Sequence, residues 1–93
     1  MMKTQKMLIY NSWHRGMREA DLILGPFAAI FVPDFSPLQL TQYESILNTS
    51  DSDLLSFIYK HSPVPPELDN DVMQKIILFA NKEDHVSNPL LMV

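Results

Sequence analysis

Charged side chains of both signs cluster around a glycine near the start of the chain. The cluster reads Trp-His-Arg-Gly-Met-Arg-Glu-Ala-Asp over residues 13–21 and stands directly before an apolar run. Arg15 and Glu19 are four residues apart, so on a helix they project from one face as hydrogen-bond donor and acceptor. Gly16 has no side chain, which allows another backbone or a flat surface to come close. The cluster therefore predicts a surface that recognises a partner.

The same residues also fit the start of a helix. If Gly16 is the N-cap, Glu19 stands at the third helical position, where its carboxylate reaches a free backbone N–H and favours the positive helix end. Arg15 and Glu19 then pair with each other, an interaction worth only about 0.2–0.5 kcal/mol. The two interpretations are compatible, because capping can fix the groups that a partner contacts.

The composition indicates one small globular domain, expected to be a monomer. The 93 residues are 46% hydrophobic, which suits a folded core. The chain has no cysteine, which excludes disulfides and thiolate metal sites and favours a reducing compartment. A net charge of −4 gives no general reason to bind nucleic acid or an anionic membrane. Four of the seven basic residues nevertheless precede Glu19, the first acidic residue, so the N-terminal fifth is basic.

The spacing of apolar residues predicts an all-α bundle of five short helices. The predicted helices span about residues 3–12, 17–31, 37–47, 51–58 and 67–81. Pro26 is expected to kink the second helix, because it cannot donate to the carbonyl of Leu22. Ser36 and Gln39 form a predicted capping box for the third helix, and Asp51 is expected to cap the fourth. The folded core is predicted over residues 3–81, with 82–93 as a flexible tail.

Several kinds of chemistry are excluded or disfavoured by the residue pattern. The three histidines lie far apart without the spacing of a metal site, and two glycines do not make a phosphate loop. The apolar run 22–32 is far shorter than the roughly 20 residues that cross a bilayer. A chain of this length has little room for an enclosed catalytic pocket. We therefore expect no catalysis, metal, nucleic acid or membrane insertion.

A protein-binding module is the function class that remains. Tryptophan beside two arginines has the composition of an interface hot spot. The predicted contact residues are Trp13, His14, Arg15, Gly16, Met17, Arg18, Glu19 and Asp21.

Two segments match the pattern of a known family. The first is an Arg-Gly-x-x-Glu motif formed by Arg15, Gly16 and Glu19. The second is an Asp-x-Asp-Leu segment followed by an aromatic, formed by Asp51, Asp53, Leu54 and Phe57. In order and spacing, residues 5–81 resemble the SdhE family of succinate dehydrogenase assembly factors. The chain departs from the family pattern in having His14 where arginine is usual and Phe57 where tryptophan is frequent.

The resemblance implies a five-helix bundle that helps to attach FAD covalently to a histidine of the flavoprotein subunit of succinate dehydrogenase. In some bacteria, fumarate reductase is a further client. It also implies that the motif surface faces the flavoprotein, and that the FAD belongs to the client rather than to this chain. The bacterial cytoplasm is expected rather than the mitochondrial matrix, because the match begins almost at Met1 and leaves no room for a transit peptide.

Two alternative functions stay open at this stage. One is an antitoxin-like or regulatory protein that acts on a cytoskeletal or membrane client. The other is a direct flavin carrier, for which the chain lacks a dinucleotide fingerprint.

Overall fold

The protein folds as a bundle of five α-helices. The computed structural model describes residues 2–81, and within them no strand occurs. The helices are α1 (Lys3–Trp13), α2 (Arg18–Phe31), α3 (Pro37–Leu47), α4 (Asp51–Ile58) and α5 (Asp71–Asn81), with 3-10 turns at Val32–Asp34 and Pro66–Leu68. The predicted all-α class is confirmed. The tail predicted at 82–93 lies outside the described residues.

The core is centred on a buried aromatic ring from α2. Four rings surround that of Phe27, at centroid distances between 4.8 and 6.2 Å: Phe31, Phe35, Tyr43 and Phe79. Aliphatic side chains from all five helices complete the core. Burial of this apolar surface is the main force that holds the short helices together, since isolated helices of this length are marginal in water.

The buried face of α1 is partly polar. Of its apolar residues, Leu8 is buried, whereas the side chains of Met7 and Tyr10 are more than half exposed. Two polar residues are buried instead, Gln5 and Ser12. The Gln5 amide donates to the backbone carbonyls of Val32 and Pro33, at 3.3 and 3.2 Å. The spacing of apolar residues could not predict which face of α1 is buried, because two residues of that face are polar.

A buried hydroxyl pair joins α1 to α3. The hydroxyls of Ser12 and Tyr43 lie 2.6 Å apart, and Ser12 Oγ also donates to the carbonyl of Leu8 at 2.7 Å. Burial raises the pKa of Tyr43 well above its ordinary value, against the opposing effects of Ser12 and Arg15. The phenol therefore stays protonated and the pair remains a neutral hydrogen bond.

The starts of three helices show which capping signals in the sequence predicted the N-cap correctly. The capping box of α3 is confirmed: the Gln39 amide donates to Ser36 Oγ, and the Ser36 amide donates to Gln39 Oε1. The N-cap of α4 is Ser50 rather than Asp51, which has a different role described below. The fifth helix starts four residues later than predicted. The side chain of Asn70 accepts from the Met73 amide at 2.9 Å and fixes the first turn there.

Helix α4 ends in a Schellman turn that contains a lysine in the left-handed conformation. Lys60 has φ 64°, the amide of His61 donates to Ser56 O at 2.8 Å, and the amide of Lys60 donates to Phe57 O at 3.1 Å. Glycine is the usual residue at this position, because a side chain costs about 1–2 kcal/mol in the left-handed region. The turn fixes the positions of Tyr59 and His61 at the surface.

Substitution of Lys60 by glycine is expected to stabilise the fold. Relief of the left-handed conformation exceeds the extra backbone entropy of glycine, so the free energy of unfolding should rise by about 0.5–1 kcal/mol. Urea denaturation followed by circular dichroism measures this change. The matched control is Lys75→Gly within α5, which should lower stability by about 1 kcal/mol. A loss of stability in Lys60→Gly would contradict the expected effect.

Candidate partner-binding surface

The loop that joins α1 to α2 is anchored to the α3–α4 loop by one arginine. Arg15 Nε donates to Asp51 Oδ1 at 2.7 Å, Nη1 donates to Leu47 O at 2.6 Å, and Nη2 donates to Thr49 O at 2.8 Å. Each guanidinium nitrogen therefore has an acceptor, and the Arg15 and Asp51 side chains are each only 11% exposed. The planar fork of arginine suits this arrangement, whereas a lysine ammonium does not match its geometry.

The second oxygen of Asp51 holds the backbone of the same loop. Oδ2 accepts from the Met17 amide at 3.0 Å, and the Gly16 amide also donates to this carboxylate. Burial by itself would raise the pKa of Asp51, but the hydrogen bonds from Arg15 and the two amides outweigh it and hold the pKa below its usual range. Asp51 is therefore a charged anchor under the loop rather than a helix cap.

The structure gives Arg15 and Glu19 different partners from those predicted. Arg15 does not pair with Glu19; it pairs with Asp51 from 36 residues away. The N-cap of α2 is Met17 and not Gly16, so Glu19 stands at the second helical position and forms no capping box. Asp21 Oδ1 accepts from the Arg15 amide and closes the loop from its other side. The long-range ion pair prevails because it satisfies the whole guanidinium.

Four residues of the cluster face solvent on top of this anchored loop: Gly16, Met17, Arg18 and Glu19. We call them the loop surface. A Cβ added to Gly16 would lie 3.4 Å from Asp51 Oδ2, which is ordinary van der Waals contact, and its φ is not positive. The fold therefore tolerates a side chain at Gly16, and the bare backbone there is available to a partner.

A shallow pocket of about 340 Å³ continues the loop surface onto α4. It is lined by Met17, Glu19, Ser52, Leu55, Ser56, Tyr59 and His61. Burial and the hydrogen-bonded carboxylate of Glu19 both raise the pKa of Tyr59. We call this the α2–α4 pocket. A larger cleft of about 540 Å³ lies on the other side of the loop, between α1 and the end of α3, and includes His14, Gly16, Glu44 and Asn48.

Trp13 and His14 lie on the flank of α1 rather than on the loop surface. The Trp13 side chain is 42% exposed, and its indole carbons pack against the backbone of Gly25 in α2. Gly25 thus allows a close approach within the fold, between the indole of Trp13 and the backbone of α2. The His14 ring stacks on Tyr10 at 4.0 Å between centroids. Its Nδ1 lies 2.8 Å from the Tyr10 carbonyl, so Nδ1 carries the proton in this contact.

The structure thus separates the predicted contact residues into anchors and exposed groups. Arg15 and Asp21 hold the loop, whereas the loop surface remains accessible. Sequence reasoning missed Asp51 and Tyr59 as parts of the site. A signal existed for Asp51, because the Asp-x-Asp-Leu segment was already matched to a family pattern. Tyr59 had no such signal, since only the packing of α4 against the start of α2 places it beside Glu19.

Across residues 2–81, no group of three or more histidine, cysteine or acidic residues is arranged to hold a metal ion. Within the same described part, no helix is long and apolar enough to cross a membrane.

A family model described as the flavinator of succinate dehydrogenase matches residues 6–80. The chain belongs to this family. The match includes the anchored loop, Asp51 and every residue of the α2–α4 pocket. The family assignment made from the two motifs is therefore confirmed.

Curated relatives of this flavinator-family chain carry the name succinate dehydrogenase assembly factor 2, mitochondrial, or its 2-A and 2-B forms. The Dictyostelium discoideum protein is 36% identical over 80% of this chain and 52% of its own length. The Drosophila persimilis form 2-B is 34% identical over 91% of this chain and 56% of its own length, and the Drosophila mojavensis form 2-A is 36% identical over 94% and 54%. The chain spans about half the length of these relatives. Their names place them in mitochondria, and the bacterial cytoplasm expected above stays a prediction.

Proposed function

We propose that this chain promotes covalent attachment of FAD to the flavoprotein subunit of succinate dehydrogenase by binding that subunit through the loop surface. The flavoprotein of fumarate reductase is a second client of the same kind. One observation carries the proposal: Arg15 and Asp51 fix the loop from beneath, while Gly16 to Glu19 remain exposed on top. A family-specific motif that is anchored from beneath and exposed on top supports binding to another protein.

The mechanism that follows from this surface is catalysis by positioning. The flavin and the client supply the attachment chemistry, and this chain holds the client in the arrangement that aligns the acceptor with the flavin. Pre-organisation by the Arg15–Asp51 anchor reduces the ordering cost of the loop on binding, so more of the contact energy is available to the complex. We propose accordingly that the chain is not itself an enzyme and holds no cofactor of its own.

The reconstituted flavinylation reaction tests this function. The apo flavoprotein subunit, FAD and a dicarboxylate are incubated with or without the chain, and covalent flavin is read as in-gel fluorescence after denaturation. We expect the wild-type chain to increase the fluorescent band, and Gly16→Arg to reduce it to the level without the chain. The arginine would begin beside Asp51 Oδ2 and extend into open space at the loop, where it would obstruct a client without entering the core.

Two further variants separate the interface from the fold. Gly16→Ala should keep the free energy of unfolding within about 0.5 kcal/mol of wild type, because its Cβ meets only ordinary contact. Glu67→Ala changes an exposed glutamate outside the loop surface and should support full flavinylation. If a folded Gly16→Arg protein supports flavinylation as well as wild type, the loop surface is not the contact. If the wild-type chain has no effect, the assembly function itself is contradicted.

A further inference from the structure

One carboxylate of the α2–α4 pocket, that of Glu19, forms no salt bridge within residues 2–81. Glu19 lines the pocket and is exposed. The arginine that the sequence suggested as its partner, Arg15, is fully occupied by Asp51 and two backbone carbonyls. Arg18 also forms no ion pair among the described residues. The charge of Glu19 is therefore available to a group from outside the chain.

Tyr59 forms the aromatic part of the same pocket. Its side chain is partly buried against the core, and it lines the pocket together with Glu19. The Schellman turn at Lys60 fixes the Tyr59 backbone, and the contact with the core limits the movement of the ring. A fixed aromatic ring next to a carboxylate attracts a cation in two ways, through ion pairing and through the negative face of the ring.

The rest of the pocket is lined by the polar Ser52, Ser56 and His61 and by two apolar residues that suit the stem of a long side chain. Met17 contributes an exposed thioether chain, and Leu55 contributes a buried aliphatic one. Arginine and lysine carry three or four methylene groups before their charge, and they bury these along apolar surface while the charged end stays near solvent. The combination of an apolar wall, an aromatic ring and one carboxylate is therefore complementary to such a residue.

We propose that the α2–α4 pocket binds an arginine or lysine side chain of the client flavoprotein, with Glu19 as its ion-pair partner and Tyr59 as its aromatic support. This inference rests on the proposed function, because the client is the source of the cation. It adds Tyr59 to the contact, and it assigns Glu19 a specific charge to recognise.

A small-molecule probe tests the pocket without the client. N-acetyl-arginine amide and its neutral isostere N-acetyl-citrulline amide are titrated into the 15N-labelled full chain. Arginine should cause saturable shifts at the amides of Met17, Glu19 and Tyr59, and citrulline should not. The shifts should disappear in Glu19→Gln, which keeps the shape but loses the charge. They should persist in Tyr59→Phe, which keeps the ring, and weaken several-fold in Tyr59→Leu.

Binding to the apo flavoprotein subunit tests the same pocket with its proposed partner. Glu19→Gln should weaken the complex at least about tenfold, and added salt should weaken the wild-type complex more than the variant. Glu67→Gln is the matched control and should bind like wild type. A wild-type chain that binds the client, together with an unaffected Glu19→Gln, overturns the pocket while the proposed function stands. If the chain binds arginine selectively but does not bind the client, the pocket recognises a cation but the proposed function is contradicted. If arginine and citrulline cause equal shifts, the pocket does not recognise the charge and the inference is overturned.

Discussion

Substitution of Arg15 by alanine is expected to lower the free energy of unfolding by about 3 kcal/mol. The variant loses three hydrogen bonds from one guanidinium and leaves the Asp51 carboxylate largely buried without its ion-pair partner. Removal of one member of a buried pair costs about 3–5 kcal/mol, and the remaining exposure of these side chains places the effect near the lower end. Urea denaturation of the purified chain measures it.

Arg18→Ala is the matched control for this prediction. It removes the same side chain three residues away, where the arginine is exposed and forms no ion pair within residues 2–81, so stability should change by less than about 0.5 kcal/mol. Arg15→Lys should recover less than half of the loss, because an ammonium cannot reach Asp51 and both carbonyls together. If the free energy of unfolding of Arg15→Ala lies within about 1 kcal/mol of the wild-type value, the ion pair does not anchor the loop.

Substitution of Gly25 by alanine is the second large expected effect, and its size depends on Trp13. A Cβ at this position would overlap the indole carbons Cδ2 and Cε3 of Trp13. The indole must move away from α2, and overpacking of this kind costs about 1–3 kcal/mol. An alanine inside an unobstructed helix would instead gain up to about 1 kcal/mol over glycine. We expect the clash to outweigh the helix propensity, so that Gly25→Ala destabilises the protein.

A double-mutant cycle separates these two contributions. In a Trp13→Ala background the obstruction is gone, and Gly25→Ala should then cost much less stability; the cost that remains reflects the Cβ directly before Pro26 in the helix. Thermal and urea unfolding give the stabilities. The fluorescence of the single tryptophan should shift to longer wavelength in Gly25→Ala, as the indole leaves the helix surface. If Gly25→Ala has the same effect with and without Trp13, the two residues do not pack as described.

These two expected effects also define what the loop surface depends on. Arg15 holds the loop to the α3–α4 side, and the contact between Trp13 and Gly25 sets how closely α1 approaches α2 immediately before the loop. Neither residue needs to contact a client for its substitution to impair flavinylation. An activity assay alone would therefore mistake Arg15 for an interface residue, whereas Gly16 and Glu19 can be changed without removing an internal contact of this kind.

Local features were predictable wherever the interacting groups are near in sequence. The capping box of α3 joins residues three apart, and the apolar faces of α2 to α5 repeat at helical spacing; both were recovered with the five-helix class. The family also followed from the sequence, because its motif is a short string of residues with fixed spacing. The predicted start of the fifth helix was four residues too early, because the capping residue Asn70 lies within a run that otherwise has helical periodicity.

The sequence alone determined the helices, the absence of disulfides, and the position of the motif that the family shares, because each depends on residue types within a few positions of one another. Only the tertiary structure decided what the motif residues do. Arg15 meets Asp51 across 36 residues, Ser12 meets Tyr43 across 31, and the fold brings Tyr59 and Glu19 to one pocket. The sequence indicated Glu19 as the partner of Arg15, because it is near in the chain. The fold places Asp51 there instead, where two backbone carbonyls and two loop amides join the same ion pair.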